Sequence, residues 1–153
     1  MRRDSRLSRM LHVLIHMDRH QGAATSETIA AMLNTNPVVV RRTMAGLRDR
    51  GYVRSGKGHG GGWSLACSLA DLTLLDVYRA IGEPPLFAFG PACDRPECLV
   101  EQAVDAAVAD VLKQAETLLL ERLASVTLAD VAADFDGRMG SLTGHSCQSR
   151  KAG

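Results

Sequence analysis

Residues 54–66 read RSGKGHGGGWSLA, five glycines and a lysine within thirteen positions. Two different structures share such a composition. One is the phosphate-binding loop of a nucleotide enzyme, and the other is a hairpin tip that brings bare backbone up to some other polyanion. A phosphate loop needs a strand before the glycines, the order G-x-x-x-x-G-K-[ST], and a helix behind them whose amino terminus faces the anion. Here Lys57 precedes most of the glycines, no Ser or Thr follows it, and the next residues, WSLA, read as strand. YVRS before the glycines and WSLA after them therefore predict a β-hairpin. Glycine lets the chain take positive φ at its tip and approach a phosphodiester closely.

What precedes the hairpin gives it a meaning. Leu7, Met10, Leu11, Leu14 and Ile15 recur at helical spacing and predict an amphipathic helix to about His20. QGAA breaks it, Thr25 or Ser26 offers an N-cap oxygen, Glu27 suits the first turn, and Ile29, Ala30 and Leu33 give a short second helix. After the turn NTN, Asn36 is the expected cap and Pro37 the first residue of a third helix that runs to about Arg50 and stops at Gly51. Val40, Met44 and Leu47 line one face of that helix; Val38, Arg42, Ala45 and Asp49 lie opposite, with Arg41 and Arg48 on the flank. Helices joined by a three-residue turn, arginines on the outside of the last, and a hairpin directly after it form the pattern of a winged helix-turn-helix.

Downstream, LTLLDVYRAI carries Leu72, Leu75, Val77, Tyr78 and Ile81 on a fourth helix, and GEPPLFAFGPACDRPEC reads as a loop. From Cys98 to Ala124, Val104, Ala107, Val108, Val111, Ala115, Leu118 and Leu119 form one stripe on a helix of about 40 Å. So small a domain does not cover such a rod, and the stripe predicts a two-fold dimer through a second copy. TLADVAADF makes a short last helix capped by Thr127. The expected organisation is a DNA-binding winged helix-turn-helix domain over 1–81, an effector or sensor loop over 82–97, dimerisation and terminal helices over 98–135, and a disordered tail over 136–153. The fold class is mainly α, with a two-strand wing.

The whole-chain properties agree. Of 153 residues, 46% are hydrophobic and 23% charged, and no apolar run approaches bilayer length, so no membrane partner is expected. The opening MRRDSRLSRMLHVLIHM is interrupted by Arg9, His12 and His16 and is not read as a secretion signal, so the expected location is the cytoplasm. The net charge of +1 hides a split: residues 1–63 hold 11 Lys and Arg against 4 Asp and Glu, while residues 64–153 hold 7 against 13. A basic front half is the footprint of a polyanion partner.

The series NPVVVRR, GGG, LA and LLDVYRA, followed by PPLF and a terminal TLADV, resembles the Rrf-two (Rrf2) family of bacterial winged-helix transcription regulators, which includes iron-sulfur sensors of the IscR and NsrR type. The likeness runs from about residue 5 to 133. It implies a homodimer that binds a double-stranded DNA operator, with the long helix as the dimer interface. Cluster-binding members carry three cysteines in the loop before that helix and take a fourth ligand from elsewhere. This chain has Cys93 and Cys98 there, but EQAVDAAV stands where the third would fall. Thiolates hold such clusters, so this departure argues against an iron-sulfur cluster and no cofactor is expected; the alternative sensor is an atypical cluster that takes its missing ligands from Cys67, a histidine or the other subunit.

The candidate DNA contacts are Thr25, Ser26, Val38, Arg41, Arg42, Ala45 and Arg48 from the helices and Lys57 and His59 from the wing. Arg41 and Arg42 suit guanine edges or phosphates, Val38 a thymine methyl, and Lys57 and His59 a phosphate or the minor groove. Cys93 and Cys98 are the candidate sensor, a thiol switch answering an oxidant. A small-molecule effector is the other option, with PPLFAF and Tyr78 as pocket or as plain core. His12, His16 and His20 share a stripe with metal-ligand spacing that reads more simply as solvated surface. No carboxylate pair, nucleophile-base set or complete metal motif points to catalysis. The rival from another class is a protein-interaction module, a winged helix that no longer reads DNA.

Overall fold

The computed structural model describes residues 4–20, 22–58, 61–88 and 98–144. The elements are α1 (Arg6–His20), α2 (Ser26–Leu33), α3 (Pro37–Asp49), β1 (Val53–Ser55), β2 (Trp63–Leu65), α4 (Leu74–Ala80), α5 (Leu99–Ala124) and α6 (Leu128–Gly144), with one 3-10 turn at Leu69–Asp71. Local chemistry sets most boundaries. Thr25 caps α2, its hydroxyl accepting from the Thr28 amide at 3.1 Å, and Asn36 caps α3, accepting from Val38 at 2.8 Å with Pro37 in the first turn. Asn34, left-handed at φ 49°, turns the chain between them. Gly51 at φ +79° ends α3, and the Tyr52 amide donates back to the Leu47 carbonyl at 3.0 Å.

Val40, Met44 and Leu47 are buried, as the helical period requires. They meet Ile29 and Ala30 of α2, Val53 and Trp63 of the hairpin, Leu72, Val77 and Leu128 in one core. Each fully buried aliphatic side chain contributes about 1.5–3 kcal/mol. On α1 the buried line is Met10, Val13, Leu14 and Met17, while Leu7, Leu11 and Ile15, expected at its centre, are only half-buried at its edge. The offset arises because α1 packs against α4, β2 and α6 as well as its sequence neighbours. Where α3 meets α4 the backbones almost touch: a Cβ on Gly46 would lie 2.2 Å from the Ala80 carbonyl oxygen. That position requires glycine.

The hairpin pairs Val53 with Leu65, Arg54 with Ser64 and Ser55 with Trp63. Its root is held twice. Trp63 exchanges both backbone hydrogen bonds with Ala24, at 2.9 and 2.8 Å, and its indole N–H donates to Ser26 Oγ at 2.9 Å. Wing and α2 are therefore one unit.

The back half departs from the sequence reading in extent. Leu72 lies before α4, which begins at Leu74 behind a capping box of Thr73 and Asp76. Residues 98–124 behave as expected: α5 is a 26-residue rod that packs mainly on α4 and has no buried residue. The expectation of a disordered segment from residue 136 is corrected, since α6 continues to Gly144. Arg19 of α1 pairs with Asp136 at 2.5 Å and Arg138 with Asp134 at 2.8 Å, holding that extension to α1 and to itself. Residues 145–153 lie outside the described residues. No described helix is long and apolar enough to cross a membrane.

Candidate nucleic-acid interface

With Val40, Met44 and Leu47 turned inward, the opposite face of α3 is presented to solvent. Val38 is 59% exposed, Arg41, Arg42 and Arg48 are exposed, and Ala45 is half-buried between them. The three arginines are in different states. Arg41 is ion-paired with Glu27 in the first turn of α2. Arg48 turns to its neighbour Asp49 at 3.0 Å. Arg42 makes no ion pair among the described residues, and its charge is the one most available to an incoming anion. It also lines, with Arg6, Thr43 and the Ala80–Gly82 end of α4, a concavity of about 290 Å³. Arg6, 36 positions earlier in the chain, comes near Arg42 only on folding, when both line this concavity. Arg6 is itself held by Asp4, Nη2 to Oδ2 at 2.6 Å.

The wing stands beside this face. Lys57 is exposed at its tip, between Gly56 and Gly58, the latter at φ +86°. The Gly56 amide donates to the Gly62 carbonyl at 2.8 Å and the Gly61 amide to the Gly58 carbonyl at 2.9 Å, so the tip is hydrogen-bonded up to the residues that flank its turn. Arg54 is exposed on β1. His59 lies outside the described residues. Thr25 is exposed at the start of α2 as expected. Ser26 is a correction: expected at the DNA surface, it is 7% exposed and its hydroxyl accepts from Trp63. A buried indole N–H needs an acceptor, and Ser26 supplies it.

The remaining candidates are placed as follows. Cys98 is exposed at the N-cap of α5; no cap hydrogen bond closes, yet the facing amides of Glu101 and Val100 hold its thiol below the ordinary range. Cys93 lies outside the described residues. Cys67 is half-buried against the Tyr52 carbonyl, and burial, then Asp71 and Asp76, push its thiol up. Among the described residues no group of three His, Cys, Asp or Glu side chains is placed to hold a metal ion.

Tyr78 is 5% exposed and donates its hydroxyl to the Pro84 carbonyl at 2.9 Å, so it is core and a pin for the following loop. The histidine stripe is not wholly solvated. His12 and His16 meet edge to face with centroids 4.6 Å apart, and His16 and His20 stack at 5.8 Å. Val131 and Phe135 of α6 stand across a cleft from His12 and His16, and burial, then His12 and His20, push the His16 imidazole down. On α5, Val104, Val108, Val111 and Leu118 are 55%, 43%, 65% and 70% exposed, an apolar line without cover in the single chain.

A family model described as Rrf2, iron-dependent transcriptional regulator, matches residues 3–134. The chain belongs to the Rrf2 family. It is a transcription regulator of the winged-helix type, and its family membership is consistent with DNA binding. It is similar to YwnA of Bacillus subtilis, named as an HTH-type transcriptional regulator, with 37% identity over 131 residues that cover 84% of this chain and 95% of YwnA. Among solved structures, a transcriptional regulator from Lactobacillus plantarum superposes with a TM-score of 0.72 at 24% identity, covering 95% of this Rrf2 chain and 99% of the other. IscR of T. potens superposes with a TM-score of 0.63 at 21% identity, over 88% of each chain. At these identities the structural likeness speaks for the fold.

Proposed function

We propose that this Rrf2 chain is a homodimeric, operator-binding repressor whose DNA affinity is set by the thiol state of the segment leading into α5. The observation that carries the reading is the outward face of α3, where Arg42 is exposed and has no ion pair among the described residues, standing beside a glycine-rich wing fastened to α2 through Trp63. In this arrangement α3 enters the major groove. Arg41 and Arg42 meet base edges and phosphates, Val38 a thymine methyl, and Lys57 and His59 the flanking backbone or minor groove. Two copies joined along the apolar line of α5 present two such heads to successive grooves of one face of the duplex.

Cys98 supports a redox input because it is exposed and its thiol is biased toward thiolate. Oxidation by a peroxide joins Cys98 to Cys93, within or between subunits. Two thiols lose two protons and two electrons, and hydrogen peroxide is reduced to two waters. The new bond fixes the start of α5 and so the spacing of the heads.

The test is duplex binding across salt concentrations. Operator affinity falls steeply with added salt through counterion release, and Arg42→Ala weakens specific binding by about 1–3 kcal/mol while the dimer persists. Binding insensitive to salt favours a protein-interaction module instead.

A further inference from the structure

Among the described residues, Arg41 is the one arginine of the α3 outer face whose ion-pair partner lies on another element. Its guanidinium is hydrogen-bonded to Oε1 of Glu27, fourteen residues earlier in the chain. Both side chains are more than half exposed, 56% for Arg41 and 62% for Glu27, so in water the pair adds little to stability. A duplex laid along α3 changes its meaning, because covered charges interact through a lower dielectric and are screened less.

Two destinations are then open to Arg41. A phosphate brings a second anion up to the Glu27 carboxylate, and the two repel each other while competing for one guanidinium. A guanine does not. The guanidinium has five N–H donors in a planar fork, so it can keep one on Glu27 and turn two others to a paired acceptor edge. In the major groove the edge that offers two acceptors side by side is guanine N7 and O6.

Glu27 is itself well fixed for this task. It sits in the first turn of α2, where the helix dipole favours a carboxylate. The residue before it, Ser26, is fastened to the wing-root indole, and Thr25 before that is the cap. The contacts that anchor the wing therefore also set the position of the carboxylate.

We infer that Glu27 is a specificity-determining positioning residue: through its ion pair with Arg41 it directs that arginine to a guanine in the major groove and penalises any register that offers only phosphate. The inference rests on the proposed entry of α3 into the groove. It also divides labour on the helix, since Arg42, which has no ion pair among the described residues, is left to the backbone.

The experiment is selection from a random duplex library with the full-length wild type, Glu27→Gln, Arg41→Ala and the double variant. Each protein is then titrated on the enriched duplex, on the same duplex with the guanine pair replaced by an adenine pair, and on an unrelated duplex. Wild type should enrich one guanine per half-site and prefer it by about tenfold or more. Glu27→Gln should cut that preference to less than about threefold and bind the unrelated duplex more tightly, because a negative charge facing phosphate has gone. Arg41→Ala should abolish the preference, and adding Glu27→Gln to it should change the guanine preference no further, as expected for residues acting as a unit. An unchanged motif in Glu27→Gln overturns the inference, as does weaker binding with the guanine preference intact. A wild type that enriches no duplex overturns the DNA reading itself, so the two failures are told apart.

Discussion

Thr73 and Thr127 face each other across an isolated antiparallel bridge, and each starts a helix in the same way. Thr73 and Asp76 exchange hydrogen bonds at the start of α4, and Thr127 and Asp130 do so at the start of α6. The surrounding residues, LTLLDV and VTLADV, are near-copies. The Leu74 amide donates to the Val126 carbonyl at 3.0 Å and the Leu128 amide to the Leu72 carbonyl at 2.8 Å, closing the pair.

This junction gives the fold an acid sensitivity of known sign. At Asp76 burial pushes the carboxyl up, but the Thr73 hydroxyl and amide, Tyr52 and Arg79 together outweigh it and leave it lowered. At Asp130 the Thr127 amide, then its hydroxyl, lower it as well. A carboxyl lowered by folding stabilises the native state above its unfolded pKa of about 3.9, and that stabilisation is lost as pH falls through the folded value. Melting temperature should therefore drop as pH falls below about 4, and the Asp76→Asn, Asp130→Asn double variant should be less stable at neutral pH with a shallower acid limb. Parallel acid limbs in the two proteins count against the junction as their source.

Ser26 lies inside the head, and its substitution separates a structural from a DNA-contacting role. Ser26→Ala leaves the Trp63 N–H without its acceptor and should lower unfolding free energy by about 1–3 kcal/mol in urea titrations. Duplex affinity per folded molecule should stay within about twofold of wild type, a change of under about 0.5 kcal/mol. Affinity lost with stability retained returns Ser26 to the DNA surface.

Val111 is 65% exposed on a helix that holds no buried residue. Val111→Glu should leave helix content unchanged, since the subunit does not bury this side chain, and should shift sedimentation from dimer to monomer with loss of tight operator binding. A variant that sediments as wild type removes this line of α5 from the interface.

Cys98 and Cys67 provide an internal comparison. The first is exposed and lowered by helix amides, the second half-buried and raised by burial and two carboxylates. Iodoacetamide at neutral pH should label Cys98 well ahead of Cys67 in the native protein, read by peptide mass spectrometry, with the difference abolished in denaturant.

Much of the head was legible because its signals are local. Val40, Met44 and Leu47 declare their face by helical spacing, and Asn36 with Pro37, or Gly51, declare boundaries within a residue or two. What escaped was set at a distance. Ser26 reads as a surface hydroxyl until Trp63, 37 positions later, comes to sit on it. Val13 and Met17 become core because α4 and α6 arrive from the far half of the chain, and residues 136–144 stay helical partly through Arg19, 117 positions before Asp136. Likewise Glu27 and Arg41 each look like ordinary helix charges until the turn at Asn34 brings them together.

The Thr73–Thr127 bridge has a mechanical side as well. The chain leaves the head after α4, runs out along α5, and is tied back at Thr73, the residue that caps α4. At the other end of α4, the Ala80 carbonyl abuts Gly46 of α3 with no side chain between them. A tilt of the rod is therefore expected to reach α3 through main chain resting on main chain, with little slack to absorb it.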